Sequence, residues 1–212
     1  MRVAITGSTG LIGSALKPHL ESLGHEVIRV VRSNPTGSDI SWSPGEGRID
    51  SHALDGVDAV VHLAGAGIGD QRWTDAYKRE LVESRTKGTA LISEAIVAAD
   101  DGPKILLSGS ATGIYGAQGD AQLNERSSVG EGFLAEICAK WEAATAVAEE
   151  AGVRVVHLRT GIVLSAEGGA LKRQLPLFKF GLGGKMGNGR QYLSWIHIDD
   201  EVAAITHLLT AD

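Results

Sequence analysis

A short apolar run, Val3-Ala4-Ile5, leads into Thr6-Gly7-Ser8-Thr9-Gly10-Leu11-Ile12-Gly13 and then into a helix-compatible segment. A strand ending at Thr6 and a helix starting near Leu11 must then be joined through three glycines at fixed offsets. Gly7 permits the tight turn, Gly10 lets main chain approach a pyrophosphate, and Gly13 lets the helix pack closely on the strand. Unpaired N–H groups at that helix start would face phosphate oxygens. With 28 glycines in the chain, spacing alone is weak evidence, and it is the flanking strand and helix that give this spacing meaning. The junction is a dinucleotide-phosphate cradle, with Gly7, Ser8, Thr9, Gly10, Leu11 and Ile12 placed around the cofactor.

The alternation continues. A helix over residues 11–23 ends at Gly24-His25, and Glu26-Val27-Ile28-Arg29-Val30-Val31 is a second strand. Residues 39–42 form a short third strand, 58–63 a fourth, 104–108 a fifth and 153–158 a sixth. A long helix is expected over 75–99, and Phe133, Ile137, Trp141, Ala144 and Ala148 mark one face of another over 133–150. Continuously apolar strands separated by helices imply a parallel sheet covered on both faces, which is a doubly wound α/β Rossmann fold. Its ligands sit beyond the carboxyl ends of the strands. Residues 1–165 are the dinucleotide-binding domain. Residues 166–212 are a glycine-punctuated, loop-rich and substrate-facing segment whose last strand and helix return to the core.

Bulk properties narrow the function classes. At 212 residues, with 43% hydrophobic and 22% charged side chains, the chain is ordinary for a soluble domain with a sizeable core. Its apolar runs are too short to cross a bilayer, and the N-terminus enters a strand without a signal pattern, so a cytoplasmic protein with no membrane partner is expected. A net charge of −6 gives no footing for phosphate-backbone binding, so no nucleic-acid partner is expected. Cys138 is alone, which excludes an internal disulfide and a cysteine-built metal site. No metal cluster is evident.

Several separated segments then carry a resemblance over essentially the whole chain. They are residues 61–68 (VHLAGAGI), Gln71-Arg72-Trp73, Glu83-Ser84-Arg85, residues 110–116 (SATGIYG) and residues 189–197 (GRQYLSWIH). Together with the glycine cradle they resemble an extended short-chain dehydrogenase/reductase of the nucleotide-sugar-epimerase type, and within it the atypical subgroup labelled "epimerase family protein". Members of that subgroup continue for several dozen residues beyond position 212. The resemblance therefore implies that part of the substrate-binding lobe is missing from this chain. It also implies a homodimer through the helices over 75–99 and 133–150, whose apolar stripes could equally be spent against the sheet. It does not name a substrate, because fold analogy leaves the chemistry open.

Cofactor choice turns on the end of the second strand, where an acidic residue suits NAD and an arginine suits a 2′-phosphate. The chain offers Arg32, whose planar guanidinium can hold a phosphate through two charge-assisted hydrogen bonds, so NADP is the expected cofactor. The alternative is an ordinary solvated arginine. Leu63, Ala64 and Gly65 would line the adenine side of the groove, and Ser108 and Gly109 would sit near the nicotinamide ribose.

The parent superfamily works with a serine, a tyrosine and a lysine four residues after that tyrosine. Ser110 matches the serine, but Tyr-x-x-x-Lys is absent. Counts from Ser110 and from Tyr115 with the spacings of extended relatives land near Ala135 and Glu136 and differ by one residue, which puts Glu136 at the tyrosine position and Lys140 four residues on. At neutral pH a glutamate would serve as a base more readily than as an acid. The competing reading is a surface i, i+4 pair worth about 0.2–0.5 kcal/mol. Tyr115 offers a second phenol, although loop packing is a commoner use. His62 is expected to be a satisfied core or rim histidine, Cys138 to be helix packing, and Asp199 or Asp200 to cap the last helix. Two functions follow from these residues. One is an NADP-dependent oxidoreductase or epimerase acting on a small, unidentified substrate through Ser110, Tyr115, Glu136 and Lys140. The other is a non-catalytic NADPH-binding sensor or interaction protein. A flavin-reducing enzyme is a weaker third.

Overall fold

Strand β1 (Arg2–Thr6) is buried from Val3 onward, as a central strand covered on both faces must be. In the computed structural model, which describes residues 1–185 and 187–211, its side chains alternate between two cores. Val3 and Ile5 point into one with Leu16, Leu20, Ile205 and Leu209, while Ala4 points into the other with Ile28, Trp42, Ile92 and Ile96. Helix α1 (Leu11–Ser22) follows β1, and then come β2 (Glu26–Val31), β3 (Ile40–Ser43), β4 (Arg48–Ile49) and β5 (Ala59–His62). Beyond them lie α2 (Asp75–Ala98), β6 (Ile105–Ala111), α3 (Phe133–Ala143), α4 (Ala146–Glu150) and β7 (Arg154–Thr160). These strands form a seven-stranded sheet in the order β4-β3-β2-β1-β5-β6-β7. Every pairing is parallel except β3 with β4. This is the doubly wound Rossmann arrangement, and its direction of winding switches between β1 and β5.

The last part of the chain adds β8 (Ile162–Leu164), α5 (Gly169–Lys179), β9 (Trp195–His197) and α6 (Ile198–Thr210). Strands β8 and β9 make a separate two-stranded parallel sheet. Helix α6 returns to pack Val202, Ile205 and Leu209 into the same core as α1.

Besides the unexpected β8, the structure differs from the expected elements at four places. Strand β4 is only two residues long and closes an edge hairpin through a tight turn at Pro44–Glu46, too short to show an alternation. The helix over 133–150 is two helices. The buried Thr145 hydroxyl donates to the Glu142 carbonyl at 2.7 Å, so a side chain competes with the ladder where the axis breaks. Residues 169–179, expected as loop, are helix α5, which buries none of its residues and contains Pro176. The cap of α6 is His197, whose Nδ1 accepts from the Asp199 N–H at 3.3 Å. Asp199 and Asp200 instead lie in its first turn, where negative charge suits the helix dipole.

Candidate functional site

The cradle forms as its spacing demands. Gly7 adopts φ +67°, and a Cβ there would stand 2.8 Å from the Leu63 carbonyl carbon, so β1 and the chain leaving β5 touch through bare backbone. A Cβ on Gly13 would lie 2.3 Å from the Gly7 oxygen and 2.7 Å from the Ser8 Cα. The Gly10 N–H donates to the Gly7 carbonyl at 2.9 Å, and α1 starts without a side-chain cap and without an acid in its first turn. No side chain among the described residues takes its first N–H groups, an arrangement that can receive a phosphate. Ser8 is buried behind the turn and Thr9 is exposed.

Thr6 locks the two strand ends together. Its hydroxyl oxygen accepts from the Leu63 and Ala64 N–H groups at 3.1 and 3.2 Å, so its single proton goes to His62 Nδ1 at 2.8 Å. That bond assigns the His62 proton to Nε2, which has no partner. His62 is wholly buried, with its ring edge-on to Trp42. Burial lowers its pKa to about 4, so it is a neutral core residue that holds the groove together.

A cleft of about 220 Å³ opens beside the cradle, lined by Gly10, Leu11, Leu63, Gly109, Ser110 and Trp141 among others. Ala64 and Gly65 continue from Leu63 along the loop after β5, Gly65 exposed. Ser108 lies deeper in β6. It is wholly buried, with its hydroxyl 3.5 Å from the Gly109 carbonyl, and it does not reach the cleft wall. Arg32 follows directly on β2, exposed and without an ion pair or side-chain hydrogen bond among the described residues. Its neighbour Arg29 is already paired with Asp39, whose pKa falls to about 2 mainly through that hydrogen bond.

Ser110 stands opposite Arg159 in the β6–β7 register, and between them lies a side chain the sequence reading did not single out, Glu142. Ser110 Oγ donates to Glu142 Oε1 at 2.6 Å. Arg159 clamps both carboxylate oxygens, Nε on Oε1 at 2.8 Å and Nη2 on Oε2 at 2.9 Å, and gives Nη1 to the Tyr115 hydroxyl at 3.0 Å. Burial alone would raise the Glu142 pKa, but hydrogen bonds from Arg159 and Ser110 outweigh it and hold the carboxyl below its ordinary value. Glu142 is therefore ionised and already paired, which suits it to orient Ser110 rather than to collect a proton. With its proton committed, Ser110 presents lone pairs to the cleft. Thr160, at the far end of β7, also lines the cleft and donates to the buried Glu201 of α6 at 2.7 Å.

The pair expected beside Ser110 lies elsewhere. Helix α3 buries Ala135, Ile137, Cys138 and Trp141, which turns Glu136 and Lys140 to its exposed side. Among the described residues neither makes a side-chain hydrogen bond or ion pair, even with the other. The helix face, not a count along the chain, decides which carboxylate arrives, and it delivers Glu142. Knowledge that β6 and β7 pair would have exposed the cluster, since Ser110 and Arg159 each lie five residues beyond the register pair Ile105 and Arg154. Cys138 is buried with its thiol pKa raised by desolvation, in keeping with a packing role. Among the described residues, His52, Asp55 and Asp100 bring ligand-type atoms within 4.8 Å of one another, all three exposed. No helix of the described residues is long and apolar enough to cross a membrane.

The model of the NAD dependent epimerase/dehydratase family matches residues 3–212. The chain belongs to that family. Among curated members it is 49% identical over 204 residues to Epimerase family protein Mb2239 of Mycobacterium bovis, covering 96% of this chain and 67% of that protein. The structure of human epimerase family protein SDR39U1 (isoform2) with NADPH superposes with a TM-score of 0.89 at 35% identity, covering all of this chain and 70% of that one. A nucleoside-diphosphate sugar epimerase from Corynebacterium glutamicum gives a TM-score of 0.88 at 41% identity, and this chain spans 43% of its length. The two solved structures share this chain's fold.

Proposed function

We propose that this chain binds NADP(H) and acts as an oxidoreductase or epimerase on a small substrate. The observation that carries the reading is the cradle of Gly7, Gly10 and Gly13 at an uncapped helix start, where any Cβ on Gly13 would occupy backbone space. The N–H groups of α1 take the diphosphate, and Leu63, Ala64 and Gly65 border the groove. Arg32 supports NADP over NAD, being an uncommitted guanidinium at the end of β2. The human relative whose structure is described with NADPH agrees with this choice.

When bound, the nicotinamide ring supplies hydride chemistry. The protein's own share is to place the substrate. Ser110 accepts a hydrogen bond from a substrate hydroxyl, while Glu142 and Arg159 fix its direction. Tyr115, buried and tied to the same network through Arg159, keeps its own proton available. Glu136 and Lys140 take no part.

A second reading, a non-catalytic NADPH sensor, is favoured by one observation. The glutamate that does reach Ser110 is clamped by Arg159, leaving no free carboxylate there as a general base. Calorimetric titration with NADPH and NADH, repeated for Arg32→Ala, tests the binding. NADPH should lose about tenfold to a hundredfold in affinity with NADH unchanged, and equal losses for both would remove the 2′-phosphate role. Nicotinamide absorbance followed across nucleotide sugars and small carbonyl compounds then separates enzyme from sensor.

A further inference from the structure

Arg85 on α2 is a buried cation with no counter-charge. It is 7% exposed, its Nη1 donates to the Leu81 carbonyl at 3.1 Å, and among the described residues no carboxylate pairs with it. A guanidinium offers five N–H donors, and leaving most of them without acceptors in an interior is costly.

Its surroundings place it beside the cleft, against the Trp141 ring that lines it. Its Cγ and Cζ would lie 3.4 Å from a Cβ on Gly65, so the absence of a side chain at position 65 keeps space beside the guanidinium. The Arg85 Cζ stands 5.0 Å from the centre of the Trp141 ring. That ring in turn abuts Gly109, where a Cβ would meet its Cζ2 at 2.8 Å, and it lines the cleft beside Ser110. The Trp141 Nε1 is also buried without an acceptor. Two under-used donors thus share one spot between the ends of β5 and β6, while Lys140 faces away. The diphosphate is already served by α1, and Trp141 borders Gly109 and Ser110 rather than the end of β2, so the acceptors wanting here belong to the nicotinamide half of the ligand.

We infer that Arg85 holds the nicotinamide-ribose end of the bound dinucleotide, donating to its hydroxyl and carboxamide oxygens. This rests on the NADP(H) reading above.

The test compares NADPH with adenosine 2′,5′-bisphosphate, which carries the adenosine and 2′-phosphate but no nicotinamide ribose, by calorimetry on wild type, Arg85→Met and Arg85→Lys. Methionine keeps an unbranched stem against Trp141 and removes the donors. NADPH affinity should fall about tenfold to a hundredfold in Arg85→Met and recover in part in Arg85→Lys, with the bisphosphate unchanged throughout. Arg85→Lys alone carries the comparison if the methionine variant does not fold, since a lysine cannot reproduce the fork and must weaken NADPH selectively. NADPH binding within twofold of wild type in the variants, or equal loss of both ligands, would overturn the assignment. A wild type that binds neither ligand would instead sink the NADP(H) reading itself.

Discussion

A single methyl group is enough to test the cradle. Gly13→Ala would place a Cβ 2.3 Å from the Gly7 oxygen, against backbone that cannot swing aside. The expected cost is about 1–3 kcal/mol of stability with loss of NADPH binding, read by thermal melting and titration together. Wild-type melting with wild-type binding would mean that the turn adapts. The Ser110 network makes a second residue-level prediction. Glu142→Gln leaves the Arg159 fork facing a neutral amide in a largely buried setting, so about 2–4 kcal/mol should be lost. A double-mutant cycle with Arg159→Met should return a coupling of about 1–3 kcal/mol. Additive losses would show the clamp to be energetically idle. Ser110 was legible from its place after an apolar strand, but Glu142 was not. It sits on α3, and its partner Arg159 comes beside Ser110 only through the pairing of β6 with β7.

At the scale of elements, boundaries followed local chemistry wherever caps and periodicity agreed. Helix α2 begins where Thr74 accepts from the Tyr77 N–H at 3.2 Å, and its start was readable as the onset of helical period at Asp75. Thr74→Ala should cost about 1 kcal/mol in a chemical denaturation curve while Thr74→Ser stays near neutral. Equal stability of all three would show that tertiary packing alone defines that end. Helix α5 escaped notice for the converse reason. Its glycine start and Pro176 mask an amphipathic pattern in which Leu171, Leu175 and Phe178 recur at helical spacing, and the helix buries none of its residues. The α3–α4 break was equally hidden, because it depends on Thr145 meeting both Glu149 and His157 of β7.

Across the whole molecule, acid should unfold the protein in two stages. His62 has a folded pKa near 4 against an ordinary 6.5, so the unfolded chain binds the extra proton between those values. Stability therefore declines as pH falls through that window, by about 3 kcal/mol in total. Asp39 and Glu142 carry depressed pKa values. Their contributions are complete above the ordinary values of 3.8 and 4.5, and are lost as pH falls through the lower folded ones. Melting temperatures from pH 7.5 down to 3 should show the first decline vanish in His62→Gln and the second persist. A first decline unchanged in that variant would assign it to other groups. Assembly is the second question at this scale. Leu134 of α3, Val147 of α4 and Val97 of α2 are exposed, and sedimentation velocity should find a dimer that Leu134→Glu dissociates. A monomer at all concentrations would exclude an interface through these helices.

What the sequence determined by itself was the class of fold and the place of the phosphate cradle. Both rest on local rules, since continuously apolar strands, helices of period 3.6 and glycines at a junction constrain only their neighbours along the chain. Only the tertiary structure decided which carboxylate orients Ser110, that Glu136 and Lys140 face outward, and that Arg85 lies uncompensated against Trp141. Those are facts of rotation about a helix axis and of register between strands. A shift of two positions in a helix turns a side chain by more than half a circle, and counting residues along the chain cannot supply that angle.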